Sequence, residues 1–325
     1  MWISSAVSAA GRAADHSRKP RRRRLLALAL LLLPACGGLP SGRGDRDSSQ
    51  RQTLLHQGVE RSYLVRVPAL SRPGRPLPLV VVLHGGGGNA LNAEMMTGFT
   101  ELGQSGGFIV VYPEGSGRTR LLTWNAGHCC GYAMENDIDD TGFIDALIDR
   151  LLTQYAVDPA RIYVTGMSNG AMMSHRLGIA LSHRLAAIAP VVGAVFGDEA
   201  RPQEPVSAII INGMLDRSVP YAGGPPGGRM AGAWDGTPTL RALDQATFWA
   251  AAGACSEIPS IQDQGNYLRH SYDCPAGRAV EIYSIEDNGH AWPGGQRGSR
   301  RADAPSTSLD ATKVIWQFFQ DHPRP

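Results

Sequence analysis

The stretch Arg161-Ile162-Tyr163-Val164-Thr165-Gly166-Met167-Ser168-Asn169-Gly170-Ala171-Met172-Met173-Ser174-His175-Arg176-Leu177 changes its periodicity in the middle. Residues 161–165 are β-branched and apolar, the composition of a buried strand. Residues 171–177 carry apolar side chains at helical spacing. Between the two lies a G-x-S-x-G. A strand that turns at once into a helix leaves Ser168 on a sharp corner, and Gly166 and Gly170 let that corner close. A second G-x-S-x-G, Gly103-Gln104-Ser105-Gly106-Gly107, has the reverse context. It follows a helix-like segment from Ala90 to Leu102 and precedes a strand from Phe108 to Tyr112. A glycine-rich passage from helix to strand is a C-cap and turn. Ser105 therefore reads as structural and Ser168 as a nucleophile.

Working outward, the pattern repeats. Tyr63 to Val67 alternates as an early antiparallel strand, and Leu77 to Leu83 is a continuous apolar run suited to a central strand. Gly107 to Tyr112 is another such run. Phe143, Ile144, Leu147, Ile148, Leu151 and Tyr155 fall at helical spacing, with Asp140 or Thr141 placed as the cap. Ala187 to Val192, Val206 to Ile211 and Val280 to Ile285 read as strands. Thr239 to Ala252 and Leu309 to Phe319 read as helices. Strands alternating with helices predict an α/β fold, with a mostly parallel sheet and helices on both faces. The segments Arg118 to Asn136 and Tyr221 to Gly236 are long loops, a length that commonly serves function.

The chain has 325 residues, 43% hydrophobic and 18% charged, with a net charge of +2. That is an ordinary globular composition, and it gives no reason to expect a nucleic-acid partner. The densest basic run, Arg18-Lys19-Pro20-Arg21-Arg22-Arg23-Arg24, directly precedes Leu25 to Leu33. This apolar run is shorter than the roughly 20 residues that span a bilayer. It has the length and flanking charge of a signal-peptide core, so residues 1–36 read as an export signal. The stretch before Arg18 is long for such a signal, which places the true start further along. Leu33-Pro34-Ala35-Cys36 resembles the lipobox of bacterial lipoproteins, with Pro34 as the departure. Cys36 is the expected lipidation site, and that anchor is the only membrane association expected. The twin arginines before Leu25 permit twin-arginine export as well as the general route. Residues 37–52, rich in Gly, Ser and charge, read as a flexible tether. The remainder, 53–325, is the expected catalytic domain.

Four further cysteines suit an exported chain with disulfides. Cys255 and Cys274 flank a compact segment and are the expected pair. Cys129 and Cys130 are adjacent, and a vicinal bond, free thiols or separate partners all remain open. No C-x-x-C spacing points to zinc.

A serine hydroxyl attacks a carbonyl only with a neutral imidazole to take its proton, a carboxylate to orient that imidazole, and donors for the oxyanion. In the strand-turn-helix serine hydrolases the chain order is Ser, then acid, then His. His290, just after the strand Val280 to Ile285, is the natural base. His270 lies in the alternating run Tyr267 to Tyr272 and reads as a strand residue. His175 and His183 come too early. For the acid, Ile209-Ile210-Ile211-Asn212-Gly213-Met214-Leu215-Asp216 is a strand leaving into a glycine turn that presents Asp216. Asp198 and Asp235 have no strand before them. Leu83-His84-Gly85-Gly86-Gly87-Gly88 follows a buried strand and suits an oxyanion loop, so the expected donors are the amides of Gly86 and Asn169. No metal or cofactor is implied.

Taken with Thr123-Trp124-Asn125-Ala126-Gly127-His128-Cys129-Cys130-Gly131, Asp139-Asp140-Thr141-Gly142-Phe143-Ile144 and Gly289-His290-Ala291-Trp292-Pro293-Gly294-Gly295, these motifs resemble the secreted polyhydroxybutyrate-depolymerase and feruloyl-esterase type of α/β-hydrolase. The resemblance runs from about Tyr63 to His322. One departure is Asn212-Gly213, where the family usually has His-Gly. The resemblance implies ester hydrolysis, on short polyhydroxyalkanoates or on feruloyl or acetyl esters of polysaccharides. Peptidase activity on the same fold, and a binding lipoprotein without catalysis, are the rival readings. Trp124, Tyr132 and Trp292 lie on or beside the expected mouth loops, and Trp124 and Trp292 are candidates for a substrate-stacking wall.

Overall fold

In a computed structural model, residues 51–69, 74–228 and 231–325 are described. The export signal, Cys36 and most of the tether lie outside them. The strands are β1 Arg51–His56, β2 Val59–Arg66, β3 Leu77–Leu83, β4 Ile109–Pro113, β5 Val157–Met167, β6 Ala187–Val191, β7 Ser207–Gly213, β8 Ser260–Asp263, β9 Tyr267–Asp273 and β10 Ala279–Ile285. The helices are α1 Ala90–Thr97, α2 Phe99–Gly106, α3 Gly131–Glu135, α4 Asp140–Gln154, α5 Asn169–Ala180, α6 Ala242–Ala252 and α7 Ala311–Asp321.

All ten strands form one sheet in the order β1-β2-β4-β3-β5-β6-β7-β10-β9-β8. The six central strands, β4 through β10 in that order, run parallel. Antiparallel pairs close both edges. Because strand side chains alternate, each central strand serves two cores. Leu79, Val81 and Leu83 of β3 pack with Phe143 and Leu147 of α4, Met173 and Leu177 of α5, and Trp249 of α6. Val80 and Val82 point the other way, to Met96 of α1, Phe99 of α2, and Ile315 and Phe319 of α7. This is the mostly parallel, doubly covered α/β sheet that the alternating pattern predicts.

The departures have local causes. The sequence extends the tether to residue 52, but β1 begins at Arg51, and Gln52 donates to the Tyr155 hydroxyl at 2.9 Å. An outermost strand is only half covered, so its polar alternation reads as linker. The helix expected from Ala90 to Leu102 is two helices, broken where Gly98 takes φ 66°. Asp139, not Asp140, caps α4, accepting from the Gly142 N–H at 2.8 Å. Asp140 is instead buried beside Arg61, with Arg61 Nη2 at 2.6 Å from its Oδ1 and the Asn125 N–H at 2.8 Å from its Oδ2. That carboxylate ties the start of the 123–130 loop to β2. The structure joins Cys255 to Cys274 as expected. It also joins Cys129 to Cys130, across a cis peptide bond.

Candidate active site

Ser168, Asp216, His290 and the glycine loop, expected from the sequence to act on the carbonyl, all sit where central strands end. Ligand sites in parallel sheets open at the carboxyl ends of the strands, where helix N-termini and loops converge. β5 delivers Ser168, β7 leads to Asp216, β10 leads to His290, and β3 leads to the glycine loop.

Ser168 has φ 57° and ψ −121°, a backbone region that residues other than glycine rarely adopt. Its N–H is held by the Val191 carbonyl at 3.0 Å, and its carbonyl receives the N–H groups of Ala171 and Met172 at 2.9 and 3.0 Å. The flanking glycines are sterically required. A Cβ on Gly166 would lie 2.5 Å from the Gly170 carbonyl oxygen, and one on Gly170 would lie 2.5 Å from the His84 carbonyl oxygen. Strand and helix can cross this closely only without side chains at those two positions.

The three residues expected to act together are in hydrogen-bonded sequence. His290 Nε2 lies 2.8 Å from Ser168 Oγ, and His290 Nδ1 lies 2.7 Å from Asp216 Oδ2. The Asp216 side chain is almost wholly buried, and its Oδ1 accepts from the backbone N–H groups of Ser218 and Val219 at 2.8 and 2.9 Å. These donors fix the carboxylate so that Oδ2 faces the imidazole. Sequence reasoning did not foresee Asp303, whose Oδ2 accepts the backbone N–H of His290 at 2.7 Å. Asn288 also holds this loop. Its side chain donates to the carbonyls of Gly289 and Ala291 and accepts from Ser306 N–H. Asn212, the departure from the family pattern, donates from Nδ2 to the Gly193 carbonyl at 3.1 Å. It serves as a buried tie between strand ends and leaves Asp216 in place.

The rejected alternatives are elsewhere. Ser105 lies in the last turn of α2, exposed, its hydroxyl on the carbonyls of Glu101 and Leu102. His175 is buried between Gln245 and Trp249. His270 lies on β9, and His183 is exposed after α5. Asp198 and Asp235 both bind His128, through its Nε2 at 2.8 Å and its Nδ1 at 2.6 Å. Their hydrogen bonds hold the His128 pKa above its ordinary value.

The glycine loop is held by His84. Burial pushes this imidazole down to about 4, so it is neutral near pH 7. Its Nε2 accepts the Gly115 N–H at 3.0 Å, which leaves the proton on Nδ1, donated to the Gly85 carbonyl at 2.8 Å. The Gly88 N–H reaches the same oxygen at 2.9 Å. A peptide is planar, so fixing the Gly85 carbonyl fixes the direction of the Gly86 N–H. The other expected donor, the Asn169 N–H, is in the first turn of α5, where helix N–H groups lack internal partners and favour negative charge. The Asn169 side chain is fully engaged with the Trp124 backbone, accepting at 2.7 Å and donating at 3.0 Å.

The buried neutral histidines carry a pH consequence. Burial lowers His175 to about 4 as well. In the unfolded chain both rings take up a proton near pH 6.5, whereas the folded protein resists until about pH 4. The unfolded state thus binds more protons in that window, and stability falls as pH drops from about 6.5 toward 4, by on the order of 3 kcal/mol per ring. Denaturant midpoints should decline through this range, with two imidazole NMR signals still neutral at pH 5. Two rings titrating normally would contradict it.

A cavity of about 560 Å³ opens over Ser168, His290 and the glycine loop. Gly86 and Asn169 border it. Neither tryptophan stands as the sequence suggests. Trp124 does not line the cavity. It is 0% exposed and donates from Nε1 to the His84 carbonyl at 3.0 Å. Trp292 borders the cavity but is also 0% exposed, bonded to Thr312 Oγ1 at 2.9 Å and edge-on to Phe99. Both are anchors that hold loops to the core, and neither forms a stacking wall. The half-buried aromatic at the mouth is Trp234, on the long loop after Tyr221. Tyr132 packs beneath Arg118, away from the cavity lining. Among the described residues, no cluster of His, Cys, Asp and Glu is suited to a metal ion, and no helix is long and apolar enough to cross a membrane.

Comparison with known proteins follows the same lines. A family model described as Esterase PHB depolymerase matches residues 61–223. The chain is 30% identical over 268 residues to a putative esterase, NocK, of Nocardia uniformis subsp. tsuyamanensis, covering 77% of this chain and 76% of that protein. It is 28% identical over 175 residues to a probable feruloyl esterase C of Aspergillus flavus, covering 52% of this chain and 60% of the relative. Among solved structures, an acetyl xylan esterase from Aspergillus awamori superposes with a TM-score of 0.57 at 15% identity. It covers 83% of this chain and 99% of its own, a likeness of fold.

Proposed function

The chain belongs to the polyhydroxybutyrate-depolymerase family of esterases and is a carboxylic ester hydrolase; from that premise we propose that it works as a serine esterase through an acyl-enzyme. The observation that carries this reading is the unbroken run of hydrogen bonds from Ser168 through His290 to Asp216. Ser168 Oγ attacks the ester carbonyl while His290 Nε2 takes its proton. Asp216 keeps the other imidazole proton on Nδ1 and stabilises the imidazolium. The carbonyl oxygen, now negative, lies against the amides of Gly86 and Asn169. His290 then returns its proton to the leaving alcohol, and a water repeats the sequence to release the acid.

The substrates we favour are short polyhydroxyalkanoates, or feruloyl and acetyl esters of polysaccharides, as the names of the relatives suggest. We read the domain as exported and tethered through Cys36, a proposal from sequence outside the described residues. An unmodified mature terminus beyond Cys36 would remove the anchor and leave the chemistry unchanged.

Purified protein should cleave nitrophenyl acetate and nitrophenyl butyrate and leave a peptide anilide intact. Faster cleavage of the anilide would make this a peptidase, and inertness toward all three would make it a binding protein.

A further inference from the structure

One rim of the cavity is strongly cationic. Arg217, Arg297 and Arg301 line it, all exposed, against a single lining carboxylate, Asp303. Asp303 already holds the His290 backbone N–H. Arg297 donates Nε to the Ala302 carbonyl at 2.6 Å. Among the described residues, the Arg217 and Arg301 side chains make no hydrogen bond or ion pair. Three guanidinium groups around one opening repel one another, and an anion relieves that repulsion. Arginine stays protonated, and its planar fork matches a carboxylate.

We propose that this rim is an anionic subsite in which Arg217, Arg297 and Arg301 bind a carboxylate carried by the alcohol part of the ester. The proposal rests on the serine-esterase reading above. The alcohol side follows from the proton path. The leaving oxygen must lie at His290 Nε2, because that nitrogen supplies its proton, while the carbonyl oxygen faces Gly86 and Asn169. Arg217 directly follows Asp216, and Arg297 and Arg301 sit on the loop that follows His290. The cations therefore stand on the two loops that hold the base, where the leaving group sits. The fitting substrate is an ester whose alcohol is itself a hydroxy acid with a free carboxylate. In acylation the Ser168 Oγ–carbonyl carbon bond forms, the ester C–O bond breaks, and the hydroxy acid leaves with the proton from His290. Water then releases the acyl group.

The test compares kcat/KM of the full chain on 3-acetoxybutanoate and 3-acetoxybutanamide, which share the acetyl group and differ in the charge of the leaving alcohol. The acid should be preferred at least ten-fold at low ionic strength, and the preference should shrink as salt is added. In an Arg217→Gln/Arg301→Gln double variant the ratio should fall to within two-fold of one. Because the ratio is internal to each variant, a loss of folded protein does not imitate this result. Turnover of both probes at equal rates by the wild type would overturn the subsite and leave the esterase reading standing. Turnover of nitrophenyl acetate with neither probe cleaved would overturn it too. Failure on all three esters would overturn the esterase reading beneath it.

Discussion

Ser168→Ala is expected to lower kcat on nitrophenyl esters by more than about ten-thousand-fold, with the fold intact. Removal of a serine nucleophile from a working triad typically leaves only the small catalysis supplied by binding and the oxyanion donors. Nothing in the packing at position 168 depends on the hydroxyl. The hydroxyl bonds His290, and the corner is held by backbone bonds to Val191, Ala171 and Met172 that alanine keeps. The thermal midpoint should therefore stay close to that of the wild type while turnover collapses. A fluorophosphonate should label the wild type and fail to label the variant. Ser105→Ala is the matched control, since that serine is exposed at the end of α2 and its hydroxyl bonds carbonyls of its own helix. Labelling that survives in Ser168→Ala, or vanishes in Ser105→Ala, would reverse the assignment.

The contrast between these two serines shows what the sequence makes legible. Both sit in G-x-S-x-G, so the motif alone does not separate them. The order of the flanking periodicities does, because a strand running into a helix is a local property of side-chain spacing. The same holds for β3 and β7, whose apolar runs mark strands covered on both faces. Strand β1 was not legible, because an edge strand is half wet and its RQTLLH pattern carries no buried run. The two tryptophans are ambiguous in sequence for a related reason. A tryptophan on a mouth loop has the same sequence signature whether it faces substrate or pins the loop, and only the packing of Trp124 against His84 and of Trp292 against Phe99 distinguishes the two. Asp303, Arg217 and Arg301 lie in polar loops where composition says little. Their place at the cavity depends on long-range loop packing, which leaves no periodic trace.

Asp216→Asn should cost about ten-thousand-fold in kcat, the size seen when a triad carboxylate is made neutral in place, and should cost little stability. The cradle around the carboxylate determines how. Oδ1 receives two backbone N–H groups, from Ser218 and Val219, while Oδ2 receives the imidazole. An asparagine has one acceptor and one donor end. Facing two fixed N–H donors, it must put its oxygen there, because an NH₂ group turned toward them leaves both unsatisfied. The NH₂ is then directed at His290 Nδ1, which must become an acceptor. The neutral ring moves its proton to Nε2, where it points at Ser168 Oγ and cannot accept the hydroxyl proton. The variant thus keeps its hydrogen bonds and loses its base. Asp216→Ala should lose activity as well, but it also strips both N–H groups of their acceptor, and the buried one, of Val219, costs about 1–3 kcal/mol. Measured together, kcat and the denaturation midpoint separate the two effects. The asparagine variant should be inactive and stable, and the alanine variant inactive and destabilised. An asparagine variant within ten-fold of wild-type kcat would mean that another group orients His290.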